Sequence, residues 1–206
     1  MPRGRDSRTE RVDRAVVAAQ DPTGAGLADP DPRVRSVALA ALVRAAGPSA
    51  AAQWSRASAD DDASVRRRAA EVAPLIGAAG AEPLRALLND DDALVAEAAA
   101  AALGELVPEE LDPSALAETL DSLIHAAADH TDPLVREAAV AALGSLGDAR
   151  GLATILTACE DRPAIRRRAV LALAPFEGAE VDAALARALG DSDWQVRQAA
   201  EDLTAD

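Results

Sequence analysis

Aromatic residues are nearly absent from this chain: Trp54, Trp194 and Phe176 are the full set, and there is no tyrosine. A core without large rings must be filled by small and aliphatic side chains, chiefly alanine, leucine and valine, and apolar residues make up 50% of the sequence. Small side chains let helix axes approach toward the short end of the ~8–10 Å range. Alanine and leucine also head the helix-propensity ranking. An all-α fold is the expectation. Lysine is missing altogether; the 21 basic residues are all arginine, set against 35 acidic ones for a formal charge of −14. That charge repels polyphosphate and anionic membranes at long range, so neither nucleic acid nor a membrane is expected as partner. The arginine-only usage, with abundant alanine, aspartate and glycine, fits a GC-rich bacterial genome.

Cys159 is the single cysteine, which excludes an internal disulfide. No run of 18 uncharged apolar residues occurs, and Met1 to Arg8 lacks the apolar stretch of a secretory signal. The expectation is a cytoplasmic protein, acting as a monomer. Catalytic groups are also scarce. His125 and His130 lie five residues apart, a spacing that does not share one helix face, and no cysteine accompanies them. No nucleophile–base set, glycine-rich phosphate loop, calcium loop or metal-ligand cluster is present. No catalytic residue, metal or cofactor is therefore assigned.

What the chain does contain is a period. An acidic residue, two variable positions and Val-Arg recur, with alanine four residues after the valine. The anchors are Val34, Val65, Val95, Val135, Ile165 and Val196, spaced 31, 30, 40, 30 and 31 apart. The position four beyond is Ala38, Ala69, Ala99, Ala139, Ala169 and Ala200. Anchor, +4 and +8 make one stripe of an α-helix. Asp31, Asp62, Asp92, Asp132 and Asp193 stand where an N-cap belongs, and Pro32, Pro133 and Pro163 where N1 falls. Shorter helical patterns precede each anchor, as in 83–88, 115–120, 151–156 and 183–189. Gly104, Gly144 and Gly147 read as turn or C-cap residues. The spacing of 40 marks an insertion around Val107–Pro113 that lengthens one first helix. Residues 9–20 read as an N-terminal capping helix, followed by a degenerate turn.

The D-P-x-V-R opening, the alanine at +4 and the ~31-residue period resemble HEAT repeats, of the short variety found in phycobilin-lyase-like bacterial proteins. The resemblance implies an α-α superhelix of about six helix pairs in one domain, 1–206, with units near 9–46, 47–77, 78–107, 108–147, 148–177 and 178–206. It implies that the arginines after the anchors (Arg35, Arg66, Arg136, Arg166 and Arg197, interrupted by Ala96) pair with acidic residues of neighbouring turns and tie the units together. It also implies that positions +2 and +6 line the concave side. There the candidate partner-binding residues are Arg67, Glu97, Ala101, Glu137, Ala141, Arg167 and Leu171, with Trp194 either an exposed anchor or a cover for the last unit's core. Trp54 is expected to be partly buried. Function is less determined than fold. The expectation is a non-enzymatic adaptor that holds another protein; the alternative is a lyase- or chaperone-like factor acting on a cofactor-modified protein.

Overall fold

The computed structural model describes residues 8–205. Residues 1–7, which carry most of the segment tested for a signal, lie outside them. Twelve α-helices follow one another among the described residues, with short 3₁₀ turns in five of the connections. Helix α1 (Arg8–Gln20) leads through a 3₁₀ turn (Ala25–Ala28) into α2 (Pro32–Ala46). Five pairs then follow: α3 (Ala51–Ala57) with α4 (Ala63–Val72), α5 (Ala81–Leu87) with α6 (Ala93–Gly104), and α7 (Pro113–Asp129) with α8 (Pro133–Leu146). The last two pairs are α9 (Leu152–Ala158) with α10 (Pro163–Ala172), and α11 (Ala179–Ala188) with α12 (Trp194–Thr204). The insertion at Val107–Pro113 sits before α7, which runs for 17 residues where α3, α5 and α9 run for 7.

Each second helix begins where its aspartate dictates. The side chains of Asp31, Asp62, Asp92, Asp132 and Asp193 accept from the backbone N–H two residues on, at 2.8–2.9 Å. These bonds satisfy donors that a helix start otherwise leaves orphaned. Pro32, Pro133 and Pro163 occupy the first helical position, where a missing N–H costs nothing. Arg162 is the exception at α10, whose start has no side-chain cap.

The buried anchors, with the +4 alanines, face the first helices, and one continuous core runs from Leu39 to Ala184. Smaller clusters close the two ends, around Ala18, Val34 and Ala38 and around Val170, Val196 and Ala200. Second helices touch one another more extensively than first helices do. Two expectations need correction. Trp54 is not partly but wholly buried, with 0% exposure, and its Nε1 donates to the Ala69 carbonyl at 2.7 Å. Of the three glycines read as turn residues, only Gly147 is a left-handed C-cap, with φ of 63°. Gly104 ends α6 against α8, where a Cβ would stand 2.6 Å from Ala142 Cα. Gly144 lies inside α8, where a Cβ would stand 2.6 Å from Ala172 Cα. Both glycines serve close helix approach.

Candidate functional site

The arginine ladder ties consecutive turns. Arg35 reaches Asp60 through Nε at 2.8 Å and Nη2 at 2.7 Å, while its Nη1 donates to the Asp29 carbonyl. Arg66 repeats this on Asp90 and the Asp60 carbonyl, and Arg166 on Asp191 and the Asp161 carbonyl. Arg136 reaches Asp161 at 3.2 Å. Two parallel N–H···O bonds to one carboxylate fix geometry as well as energy. The arginine bonds hold the carboxyls of Asp60, Asp90 and Asp191 below the usual range and raise the arginines. The partners are thus the aspartates two residues before the N-caps, or one before Arg162. The N-cap aspartates Asp31, Asp62, Asp92, Asp132 and Asp193 each start their own helix instead. Arg14 of α1 makes the same fork on Asp29, at 2.9 and 3.3 Å, so the ladder begins one helix earlier than the Val-Arg motif shows. Arg197 holds the Asp191 and Ser192 carbonyls.

The ladder is interrupted on both sides of one junction. Ala96 replaces the arginine on α6, and His130 replaces the ladder aspartate in the turn before α8. The His130 Nδ1 accepts from the Asp132 N–H at 3.1 Å, the bond that Asp29, Asp60 and Asp90 make in their own turns. Ala96 is fully buried, and α6 packs on α8 more extensively than any other helix pair does. Close packing of small residues takes the place of the ion pair there.

The solvent face of the second helices carries the candidate partner-binding residues. Arg67, Ala101 and Leu171 are exposed there, and Glu97, Glu137, Ala141 and Arg167 are half-buried. In the first unit the equivalent Ser36 and Ala40 are buried, so the open face starts at α4. Two residues that the repeat pattern did not single out join it. Leu94 and Leu134 are 45% and 49% exposed. Each sits three residues before the glutamate on its helix, hence on the same stripe. A bulky leucine just ahead of a buried valine was the available signal. Leu171, 38% exposed, lies on the same face of α10 but two turns further along, at the register of Ala101 and Ala141. Between α6 and α8 the face sinks into a cleft of about 370 Å³ lined by Glu97, Ala101, Glu105, Leu134 and Glu137, and by Arg168 of α10. Glu137 lies 3.6 Å from Arg168 Nε and 4.0 Å from Arg167 Nη2, long contacts from the next helix. Among the described residues, no cation lies within ion-pair distance of Glu97 or Glu105. Arg67 is held by Glu71 on its own helix.

Trp194 is 64% exposed and does not cover the last unit's core. It stands outside the cleft, at the start of α12. Cys159, half-buried behind α9, has its thiol pushed up to about 11 by burial, which leaves it a poor nucleophile. His125 rests 3.2 Å from Asp129 on the surface of α7. Among the described residues no cluster of three or more His, Cys, Asp or Glu could hold a metal ion, and no helix is long and apolar enough to cross a membrane.

Fold and ladder together define a solenoid of stacked helix pairs. The sequence pattern of HEAT repeats matches residues 81–174 and 120–204, together more than half the chain, and the protein belongs to that family. The ladder and caps carry the same repeat back before residue 81. Solved structures agree on the fold. The Escherichia coli protein YibA superposes with a TM-score of 0.68 at 16% identity, covering 97% of this chain and 75% of that one. A designed armadillo repeat protein in complex with the peptide (KR)4 gives 0.60 at 16% identity, covering 92% and 97%. The complex of CpcE and CpcF of phycocyanin lyase from Nostoc sp. PCC7120 gives 0.62 at 21% identity, covering 78% and 98%. No curated protein matches the chain in sequence.

Proposed function

We propose that this protein is a scaffold that holds another protein along the solvent face of its second helices, from α4 to α10. One domain, 1–206, with the six units stated above, is part of the proposal. The observation that carries it is the set of Leu94, Leu134 and Leu171, exposed on consecutive second helices, the first two at one register and the third two turns further along the same face. Single exposed leucines need no explanation, but several on one face of neighbouring helices, set among charges, mark a binding surface. A helix or extended segment laid across the array would cover all three. Among proteins of like fold, the designed armadillo protein with its bound peptide supports this mode of use. The likeness to the phycocyanin lyase complex is one of fold, and no residue of this chain carries lyase chemistry to the proposal.

The test places charge on this face without touching the core. Leu171→Asp with Ala141→Asp puts two carboxylates on the proposed contact surface, where burying each unpaired costs several kcal/mol or so. Affinity purification from the source organism should recover a partner with the wild type and lose it with the variant. Helicity by circular dichroism should stay unchanged, because both side chains are at least partly exposed. A variant that keeps its helicity and its partner would reject this face.

A further inference from the structure

The ladder arginine of the last unit is posed like the others and lacks their partner. Arg35 and Arg66 each anchor Nη1 on the carbonyls six and five residues back, at 2.9 Å and at 3.3 or 3.2 Å. That pose aims Nε and Nη2 at an aspartate of the next unit. Arg197 makes the same two anchoring bonds, to the Asp191 and Ser192 carbonyls at 2.7 and 3.1 Å. A guanidinium is rigid and planar, so its other edge is aimed the same way, past α12. Among the described residues no carboxylate meets that edge. Trp194, Arg197 and Glu201 are spaced three and four apart, hence on one stripe of α12. Leu39, Ala70, Ala100, Val140 and Val170 hold the position of Glu201 in the earlier units, and all are buried, whereas Glu201 is exposed. Val170 clusters with Val196 and Ala199 of the following helix, so this stripe is the one that meets the next second helix. Glu201 ends the apolar stack there, while the open Arg197 edge and Trp194, 64% exposed, remain.

We infer that the α12 end of the array docks a helix of a second protein, through an aspartate that lies two residues before that helix's N-cap and enters the Arg197 fork. The array itself is the template. Asp60, Asp90 and Asp191 hold that position, each in the fork of the arginine one unit before it. Tryptophan and arginine are the side chains most enriched among those that dominate interfaces. Here they share one stripe, and the guanidinium is already oriented, so little side-chain freedom is lost on binding. A second copy of this chain joined head to tail is not the occupant, because its Asp29 already carries the fork of Arg14. The surface is separate from the face of Leu94, Leu134 and Leu171 and binds independently of it.

The probe is a fluorescein-labelled peptide copying residues 88–103, which carries Asp90 two residues before the Asp92 cap and an alanine-rich helix. Two control peptides have equal net charge: Asp90→Asn removes the ladder carboxylate, and Asp91→Asn an exposed one. By fluorescence anisotropy against the full chain, the parent and Asp91→Asn peptides should bind within about twofold of each other. The Asp90→Asn peptide should bind at least about tenfold more weakly, the scale of a charge-assisted hydrogen bond. Arg197→Lys keeps the charge without the fork and should erase that difference. Trp194→Ala, at an exposed position, should weaken the parent peptide about fivefold or more. If Arg197→Lys loses helicity, the peptide comparison and Trp194→Ala still decide. Equal binding of the Asp90→Asn and Asp91→Asn peptides would overturn the fork assignment, as would an undiminished difference in a folded Arg197→Lys. Absence of parent-peptide binding would overturn the docking itself. Binding weakened by Leu171→Asp, Ala141→Asp but not by Trp194→Ala would move the peptide to the leucine face and reject the α12 end.

Discussion

Replacing Trp54 by alanine should lower the melting temperature by about 10 °C, the largest single loss open to this chain. The indole is fully enclosed in the continuous core, beneath Gly80 and against α4, in a protein otherwise packed with small aliphatics. Large-to-small changes of a buried Trp cost ~3–5 kcal/mol, from lost transfer energy and from the cavity left behind. Loss of the Nε1 bond to the Ala69 carbonyl adds to this, because at the end of α4 the Ala73 N–H turns to the Ala70 carbonyl instead. Alanines cannot lean far enough to fill the space. Set against a total stability of ~5–15 kcal/mol, the change removes a large fraction. Because each unit contacts mainly its neighbours, hydrogen exchange should quicken most in α3 to α5 and least in α11 and α12. Trp54→Phe should recover most of the loss. A melting temperature within a degree or so of wild type would show that the indole is not enclosed.

Gly144→Ala sets two effects of opposite sign against each other. Alanine favours a helix interior over glycine by about 1 kcal/mol, so propensity alone predicts stabilisation. The new Cβ, however, would stand 2.6 Å from both Cα and Cβ of Ala172 and 2.9 Å from its carbonyl oxygen. Those atoms belong to the α10 backbone or lie next to it, and no flexible side chain can swing away. The helices must part, and overpacking of this kind costs ~1–3 kcal/mol, occasionally more. We expect net destabilisation, with a melting temperature several degrees lower, on the scale of ~2–4 °C per kcal/mol for a chain of this size. Ala172→Gly in the same chain should restore only part, since the α10 backbone itself still stands in the way. An increase in melting temperature for Gly144→Ala alone would mean that α8 and α10 do not approach so closely.

The architecture was legible because two local rules repeat. An aspartate cap and a valine–alanine stripe require only helix geometry, and both recur at a period of about 31 residues. What could not be read depended on neighbours far along the chain. The ladder aspartates lie two residues from the caps, and nothing local separates a capping carboxylate from one that a guanidinium 24 or 25 residues away will take. Gly144 looks like punctuation in the sequence. Its role comes from Ala172, which the array brings against it. Trp194 and Trp54 were opposites in the event, one exposed and one enclosed, because burial of an indole is decided by what packs over it. At the candidate face, charged and small residues at +2 and +6 were legible from helical phase. Leu94 and Leu134 were missed because the position before each anchor holds arginine, serine, alanine or glutamine in the other units.

The central claim, that the face of Leu94, Leu134 and Leu171 is the partner surface, is tested most directly by photo-crosslinking in the source organism. A benzophenone amino acid placed at Leu134 or at Leu171 should trap the same protein in both cases. At Val107, equally exposed but outside that face, and at Trp194, it should trap little of that protein. Adducts to one protein at both leucine positions and not at Val107 are the predicted result. Adducts concentrated at Val107 or Trp194, with none at Leu134 and Leu171, would contradict it.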